Sequence, residues 1–223
     1  MVITVEKLNK VSPAIKGVYG RNIATALSEI CPQYGINTYD IFHEFIANLL
    51  HECAEFTRFE ENMNYSVNGL INGFGRHRIT VEQAKAFGRV DGKRAADKVA
   101  IANTLYGGKW GLRNLGNKLP NDGWLLRGSG AIQNTGRAVI GGFAENYNKR
   151  FGTTHDIFKM AELLRTDLKI AIHGACWFFA VYKKLIPYAI DDKFITTVEK
   201  INGARKGLED RQKYLGRAVK VFI

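Results

Sequence analysis

The sequence has few cysteines and no long apolar run. Its three cysteines, Cys31, Cys53 and Cys176, are odd in number and widely spaced, a pattern that indicates a reduced compartment and no disulfide framework. No stretch of about 18 uncharged apolar residues is present, which excludes a membrane-spanning helix. Residues 1–17 carry charges and no apolar segment, so we expect no conventional secretory signal. There is no Pro-rich linker, internal repeat or low-complexity block, and we expect one domain over residues 1–223.

The composition supports one hydrophobic core and a polyanionic partner. Apolar residues make up 46% of the 223 residues, which is enough for one substantial core, at most with a small additional lobe. Lysine and arginine (32) outnumber aspartate and glutamate (21), giving a formal charge of +11. Such a chain is attracted to nucleic acid, an anionic membrane surface or an anionic cell wall. Because the positive charges are scattered, charge alone identifies a class of partner and no more.

The hydrophobic pattern predicts a mainly α fold. Residues 38–58 carry a broad apolar stripe at helical spacing. Thr80 opens a capping box that a glycine closes, and a further helix is predicted over 92–105. Residues 167–186 are apolar on nearly all sides, which predicts a core helix ended by Pro187. The stretch 205–221 is amphipathic and basic.

Between these helices lies a glycine-rich segment, residues 107–142, with little periodicity. Long irregular segments inside a compact domain are usually functional or disordered. Trp110 and Trp124 argue against disorder. We therefore expect an irregular, functional loop region here.

Two glutamates form the first candidate constellation. Glu52 follows His51, and Glu61 comes nine residues after Glu52. Nine residues of continuous helix would place the two side chains on opposite faces, about 13.5 Å apart along the axis, so they can cooperate only if the helix ends near Thr57 or Arg58. The apolar neighbourhood of Glu52 predicts a protonated acid, whereas Glu61 lies among polar residues and would stay ionised. Two carboxylates in unlike surroundings are what glycoside hydrolysis requires.

A plainer interpretation stands beside this one. Two glutamates near a helix end are usually part of a solvated surface. His51-Glu52 also begins the metalloprotease pattern H-E-x-x-H, but position 55 is Glu55 rather than histidine, so that pattern is not met.

Two further segments carry polar groups at turns. Residues 128–137 fit neither the dinucleotide fingerprint nor the phosphate-binding P-loop; they predict a tight turn before a helix, or a loop that presents an amide and a hydroxyl to a polar ligand. Residues 201–214 predict a helix end, a turn and a second helix. A basic amphipathic helix there could lie on a membrane surface, although core packing is the commoner role.

Together these segments resemble the glycoside hydrolases of family 19, especially the lysozyme-like branch found among bacteriophage endolysins. HECAEF (51–56) and ENMNYS (61–66) resemble His-Glu-Ser-Gly-Gly-Phe and Glu-Asn-Leu-Asn-Tyr-Ser. IANTLYGG (101–108) resembles Ile-Ala-Asn-Arg-Val-Tyr-Gly-Gly, and RGSGAIQNTGR (127–137) resembles Arg-Gly-x-Gly-x-Ile-Gln-x-Thr-Gly-Arg after Gly-Trp. Residues 201–214 resemble the segment with Ile-Asn-Gly, Gly-Leu, Arg and Tyr. The motifs occur in family order from about residue 36 to residue 214.

The resemblance implies a lysozyme-like helical fold of two lobes with a cleft between them. It also implies hydrolysis of β-1,4 bonds between N-acetylated sugars, with inversion at the anomeric carbon. Glu52 corresponds to the general acid, Glu61 to the base of the endolysin branch, and Thr135 to a hydroxyl that helps to hold the attacking water. The residues implied in substrate binding or in steadying the acidic pair are Gln133, Asn202, Arg211, Tyr65 and Trp124; the two aromatic residues would stack on sugars or pack in the core.

The chain departs from the family pattern near the acid and in the glycine-rich loop. Cys53, Ala54 and Glu55 replace Ser-Gly-Gly, Ser129 replaces an arginine, and Asn134 replaces a leucine. Bulkier residues at 54 and 55 put the backbone spacing near the acid in question. None of these changes removes a residue that the chemistry requires.

Peptidoglycan is the substrate that the resemblance and the positive charge favour. We expect no metal or organic cofactor, no nucleic-acid partner, no stable membrane insertion, no separate wall-binding module, and a monomer. The resemblance implies a lysin that waits in the cytoplasm of the bacterial host and acts on the periplasmic wall after release. Alternatives are a chitinase acting on chitin oligomers and a non-catalytic wall-binding protein on the same scaffold; a nucleic-acid function rests on charge alone.

Overall fold

The computed structural model describes all 223 residues, and its regular elements are all helical. Extended pairing is limited to isolated bridges such as Glu60 with Ser129. The helices are α1 (Val5–Val11), α2 (Gly17–Ile30), α3 (Tyr39–Glu52), α4 (Val67–Gly73), α5 (Val81–Phe87), α6 (Lys98–Tyr106), α7 (Gly108–Leu115), α8 (Asp122–Leu125), α9 (Gly136–Phe151), α10 (Ile157–Thr166), α11 (Leu168–Trp177), α12 (Ile186–Ile190), α13 (Phe194–Asn202) and α14 (Leu208–Val221). The predicted mainly α class is confirmed. No helix is long and apolar enough to cross a membrane.

The chain forms two compact units, each assembled from separate segments. The first unit comprises Met1–Phe59, Gly130–Gln133 and Leu163–Ile223, and the second comprises Glu60–Ser129 and Asn134–Glu162. The expectation of a single catalytic domain over residues 1–223 stays a prediction.

Helix α3 lies at the centre of the first unit. Its side chains Phe42, Phe45, Ile46, Leu49 and Leu50 are fully buried, as the apolar stripe predicts. The helix packs chiefly against α14, and α11 packs against α2. Because α3 is buried along most of its length, its C-terminal residues are held in a fixed position.

The predicted core helix over 167–186 is divided in the structure. Helix α11 ends at Trp177, and one turn of π-helix follows over Phe178–Tyr182. The prediction that Pro187 ends this helix is wrong, because Pro187 lies in the first turn of α12. Proline is well suited to that position because the first helical turn has no use for its missing N–H.

The second unit has its own core of seven fully buried side chains: Met63, Leu70, Ile79, Ala84, Ile101, Ala102 and Leu105. The capping box at Thr80 is confirmed, since its hydroxyl accepts from Gln83 N and the Gln83 amide oxygen accepts from Thr80 N. The helix predicted over 92–105 starts later, at Lys98. The preceding residues form a turn closed by Val90 and Arg94.

The glycine-rich segment 107–142 is more helical than we predicted. It contains α7, α8 and the start of α9, and only short stretches between them are irregular. Some of the glycines delimit helices, since Gly107 is the N-cap of α7 and Gly116, at φ 70°, is its C-cap, whereas Gly111 lies inside α7. Gly136 has φ 85°, and a Cβ there would lie 2.6 Å from Leu115 Cβ. Glycine therefore serves here as a helix boundary and a close-contact residue.

Candidate functional site

Helix α3 ends at Glu52, before the Thr57–Arg58 position that we predicted. The chain then enters a left-handed turn in which Ala54, Glu55 and Phe56 all have positive φ, at 46°, 58° and 63°. Two of these positions are glycines in the family pattern. The turn takes the chain away from the helix axis directly after Glu52, so the continuous helix that would have separated Glu52 from Glu61 is absent.

Hydrogen bonds hold this left-handed turn in place of the missing glycines. The Cys53 thiol donates to the Leu49 carbonyl at 2.9 Å and accepts from Phe56 N at 3.2 Å. Burial raises the pKa of the Cys53 thiol to about 12. Glu55 N donates to the Leu50 carbonyl at 2.8 Å, and the Tyr214 hydroxyl donates to Glu55 Oε1 at 2.6 Å. The Glu55 carboxylate is therefore held by α14.

The start of α14 anchors the His51-Glu52 pair. The Arg211 guanidinium forms an ion pair with Glu52 Oε1 and donates through Nη1 to Asn48 Oδ1 at 2.8 Å. Its side chain is 2% exposed, against 18% for Glu52. His51 Nδ1 lies 2.6 Å from Asp210 Oδ2. The Glu52 carboxylate is thus partly exposed and forms an ion pair with a buried arginine. Its surroundings are less apolar than we predicted.

Gly207 allows this close approach of the two helix ends. It precedes α14 with φ 68°, and a Cβ there would lie 2.3 Å from the His51 ring. Any side chain would push the ring away and disturb the anchoring of Glu52.

Glu61 is fixed within the second unit by two donors. The Tyr106 hydroxyl donates to its Oε1 at 2.6 Å, and Gly128 N donates to its Oε2 at 3.1 Å. The backbone is tied at the same place, because Glu61 N donates to the Gly128 carbonyl at 2.9 Å. The half-buried carboxylate is therefore oriented by Tyr106 of α6 and by Gly128, which lies between α8 and α9.

Aromatic and cationic groups surround the Glu61 carboxylate. Burial raises the pKa of Tyr106 well above its usual value, and the charge of Glu61 raises it further, so Tyr106 remains a donor. Burial and Glu61 also raise the pKa of Tyr65. Arg78 is stacked on Trp110, with its guanidinium carbon 3.8 Å from the ring centroid. The Glu61 carboxylate therefore lies beside aromatic rings and a guanidinium group as well as the polar residues that the sequence predicts.

The loop over 128–136 places the other predicted polar groups. Thr135 is the N-cap residue of α9, although its hydroxyl does not cap the helix. Gln133 has φ 54°, and its amide donates to the Gly130 carbonyl at 3.1 Å. Ser129 and Asn134 are buried and paired through their backbones, at 2.8 and 3.0 Å. The Asn134 side-chain amide makes no hydrogen bond.

The two predicted stacking platforms pack against the core of the second unit. Tyr65 meets Phe74 edge to face, at 5.2 Å between ring centroids. Trp124 has one face covered by Arg127, whose guanidinium carbon is 3.6 Å from the ring centroid. Arg127 is held in turn by Glu60.

Asn202 closes the turn between α13 and α14. Its amide nitrogen donates to the Lys206 carbonyl at 3.1 Å, and its oxygen accepts from Ala204 N at 2.9 Å. The residue is exposed. Its side chain shapes the turn that leads into α14.

The predicted residues fall into two groups, one in each unit. The first unit contains Glu52, Gln133, Asn202 and Arg211, and the second contains Glu61, Thr135, Tyr65 and Trp124. In the first unit, Glu52 and Arg211 are in contact. In the second, the charge of Glu61 acts on Tyr65. Sequence reasoning missed Tyr106, which donates to Glu61, and Asn48, which accepts from the arginine paired with Glu52. Tyr106 could have been found, since it is the tyrosine of the IANTLYGG motif. Nowhere do three or more His, Cys, Asp or Glu side chains come together in a way that could hold a metal ion.

Comparison with known proteins gives a distant relative that extends over the full length of the chain. No protein-family model matches the chain. The chain is 29% identical over 222 residues to a protein of Haemophilus influenzae named "Glycosyl hydrolase family 19 domain-containing protein". The match covers 99% of this chain and 97% of the relative. The protein is therefore a distant, full-length homologue of a protein named for its family 19 glycosyl hydrolase domain.

Proposed function

We propose that the protein is a family 19 glycoside hydrolase that cleaves the β-1,4 bonds between N-acetylated sugars of bacterial peptidoglycan. The observation that carries the proposal is the full-length similarity to the Haemophilus influenzae protein named for this domain. Glu52 lies at the end of a buried helix and is paired with the buried Arg211, and this position supports a catalytic role for its carboxyl group. Solvated surface glutamates are rarely held in this way.

Glu52 is the proposed general acid. Arg211 engages only Oε1, and Glu52 Oε2 makes no hydrogen bond. Oε2 is therefore the oxygen that carries the proton to the glycosidic oxygen as the bond breaks. Arg211, being buried, acts through Glu52 as a positioning residue rather than as a sugar-binding one.

Glu61 is the proposed base, which takes a proton from the water that attacks the anomeric carbon. Tyr106 and Gly128 N fix the orientation of its carboxylate, and Thr135 would help to hold the water. For inversion the two carboxyl groups must be roughly 6.5–9.5 Å apart in the substrate complex, which leaves room for that water. The proposed substrate contacts are Gln133, Asn202, Tyr65 and Trp124.

The anionic wall is favoured over chitin by the formal charge of +11, because opposite charge accelerates encounter with the polymer. On this proposal the protein acts as an endolysin: it waits in the cytoplasm of the bacterial host and reaches the wall after release. A non-catalytic wall-binding protein on the same scaffold is the second candidate, and the changes at Cys53, Ala54, Glu55 and Ser129 are the observation that favours it.

The deciding experiment measures new reducing ends released from purified peptidoglycan and, separately, from colloidal chitin. We expect release from peptidoglycan, with the product initially in the α-anomeric form by NMR. Glu52→Gln should lose nearly all turnover at temperatures at which it remains folded, although loss of the ion pair with Arg211 lowers its melting temperature. Glu145→Gln, which changes an exposed glutamate of α9, is the matched control and should remain active. Binding without any new reducing ends would favour the non-catalytic candidate, and substantial activity of Glu52→Gln would refute its role as the acid.

A further inference from the structure

A pocket of about 310 Å³ opens in the first unit, with an acidic lining that the proposed reaction does not use. Its polar lining consists of Asp40, His43 and Glu44 from α3 and of Asp192, which follows α12. Glu44 and Glu52 are separated by about 12 Å along α3. The pocket is therefore distinct from the surroundings of Glu52.

Glu44 is the buried end of this lining. The residue is 2% exposed, and its Oε2 accepts from the Thr197 hydroxyl at 2.6 Å. Its Oε1 is buried and has no hydrogen-bond partner. Burial raises the pKa of Glu44 to about 7; the Thr197 hydrogen bond opposes this rise, and the nearby Asp192 adds to it. A buried carboxylate oxygen without a donor is costly, and a cationic donor would satisfy it.

No cation of the protein neutralises the pocket. None of Asp40, Glu44 and Asp192 forms an ion pair, and the nearby Lys193 is paired with Asp191 at 2.8 Å. His43 Nε2 lies 2.7 Å from the Phe222 carbonyl, to which it donates. Local negative charge is thus concentrated in a protein whose overall charge is +11.

The remaining lining is apolar. Ala189 and Ile190 come from α12, and Leu215 and Val219 come from α14. Apolar walls beside a carboxylate match a ligand with an alkyl chain and a charged end. A metal ion matches less well, because no three potential ligands converge in the structure. An ammonium group provides three donors and needs no such convergence.

We propose that this pocket binds a primary alkylammonium group, with its nitrogen on the Glu44 carboxylate and its alkyl chain against α12 and α14. The acidic rim formed by Asp40 and Asp192 attracts the cation, and Glu44 Oε1 receives a hydrogen bond from it. Two sources share this chemistry: a free diamine, and the diamino-acid side chain of a wall peptide. Only the second source rests on the proposed function.

Titration calorimetry on the full chain tests the site with n-pentylamine and with 1-pentanol, a neutral molecule of the same chain length. We expect saturable 1:1 binding of the amine and at least tenfold weaker binding of the alcohol. Glu44→Gln should weaken amine binding at least tenfold. Asp192→Asn, an exposed change that leaves the core intact, should weaken it severalfold. Glu29→Gln removes an exposed carboxylate elsewhere in the same unit and should bind the amine as the wild type does.

Titrations with two further ligands distinguish a free diamine from a wall peptide. The ligands are 1,5-diaminopentane and a wall tripeptide ending in a diamino acid. Tighter binding of the tripeptide assigns the site to the wall peptide, and tighter binding of the diamine assigns it to free amines. Equal binding of pentylamine and pentanol, or unchanged amine binding in both Glu44→Gln and Asp192→Asn, overturns the proposal. The amine titration is repeated on Glu52→Gln, so that amine binding is measured independently of hydrolysis.

Discussion

The Arg211 guanidinium lies against the Glu52 carboxylate at the point where α14 begins and α3 ends. The arginine is 2% exposed and the glutamate 18% exposed, so the pair joins the buried centre of the first unit to an accessible acid. The neighbouring pair, His51 and Asp210, is formed by the adjacent residue on each chain segment. Two consecutive residues at the end of α3 are therefore fixed by two consecutive residues of α14.

Replacing Arg211 with methionine should lower both stability and turnover. The change leaves Asn48 Oδ1 without its donor and Glu52 without its cation, which costs about 3 kcal/mol for a largely buried pair. On the proposed function, kcat falls at least tenfold while KM changes little, because Arg211 does not contact the sugar. Thermal unfolding and steady-state kinetics on peptidoglycan measure the two effects.

Arg205→Met is the control for Arg211. Arg205 pairs with Glu199 on the surface, and such pairs contribute at most about 1 kcal/mol. If both variants lost the same stability and activity, the assigned role of Arg211 would be wrong.

Tyr106→Phe should impair the base without disturbing the fold. The variant keeps the ring in its packing and removes the hydroxyl that donates to Glu61 Oε1 at 2.6 Å. Without this donor the Glu61 carboxylate is held by Gly128 N alone, so its orientation is less fixed. We therefore expect steady-state kinetics on peptidoglycan to give a kcat lower by about tenfold with little change in KM.

The exposed Tyr182 provides the comparison for Tyr106, since Tyr182→Phe also removes one phenolic hydroxyl. The kcat and KM of this variant should match those of the wild type. A Tyr106→Phe variant whose kcat also matched the wild type would mean that the hydrogen bond to Glu61 has no part in the reaction.

The helices with strong apolar periodicity could be predicted, because burial of one face determines them. The stripe over 38–58 gave α3, and the capping box at Thr80 gave α5. The end of α3 could not be predicted, since it depends on the left-handed turn at Ala54, Glu55 and Phe56, a conformation that these residue types rarely adopt. Contacts distant in sequence, such as that of Tyr214 with Glu55, hold it there.

The motifs of the candidate site were recognisable, but the contacts around them could not be read from local sequence. The sequence near Glu52 is apolar, and this pattern gives no indication of Arg211, which lies 159 positions later in the chain; only the family resemblance pointed to Arg211. The glycines of segment 107–142 suggested irregular backbone. In the structure some of them, such as Gly107 and Gly116, cap helices, since glycine is favoured both in loops and at left-handed helix ends.

Ala54→Gly should stabilise the protein. Relief of a left-handed conformation is worth about 1–2 kcal/mol for a residue with a Cβ, and the added freedom of glycine in the unfolded chain offsets about 0.5–1 kcal/mol. We expect a net gain of about 0.5–1 kcal/mol in urea unfolding. Ala138→Gly, at an exposed position inside α9, should instead destabilise by a similar amount, so a loss in both variants would contradict the strain at Ala54.

Asn134→Leu should also stabilise the protein. Both polar atoms of this amide are buried without partners, and each such group costs about 1–3 kcal/mol relative to an apolar group of similar shape. Leucine is the residue in the family pattern, and the backbone pairing of Asn134 with Ser129 does not depend on the side chain. A higher melting temperature is the expected result; a lower one would indicate that the amide has a partner such as a bound water.

Glu44 should make stability fall as pH rises from about 4.5 to about 7. The pKa of Glu44 in the folded state is raised to about 7 from an ordinary value of 4.5. Between these two pH values the folded state therefore binds more protons than the unfolded state. The stability that the protonated form contributes is lost as pH rises through 7. The loss approaches about 3 kcal/mol. The groups facing Glu44 are Asp40, His43 and Asp192, and α14 contributes only apolar side chains.

The Glu44→Gln variant cannot ionise at this position. Urea unfolding at pH 5 and at pH 8 should therefore give a smaller difference in stability for the variant than for the wild type. Equal differences in the two proteins would mean that Glu44 is not the group that titrates.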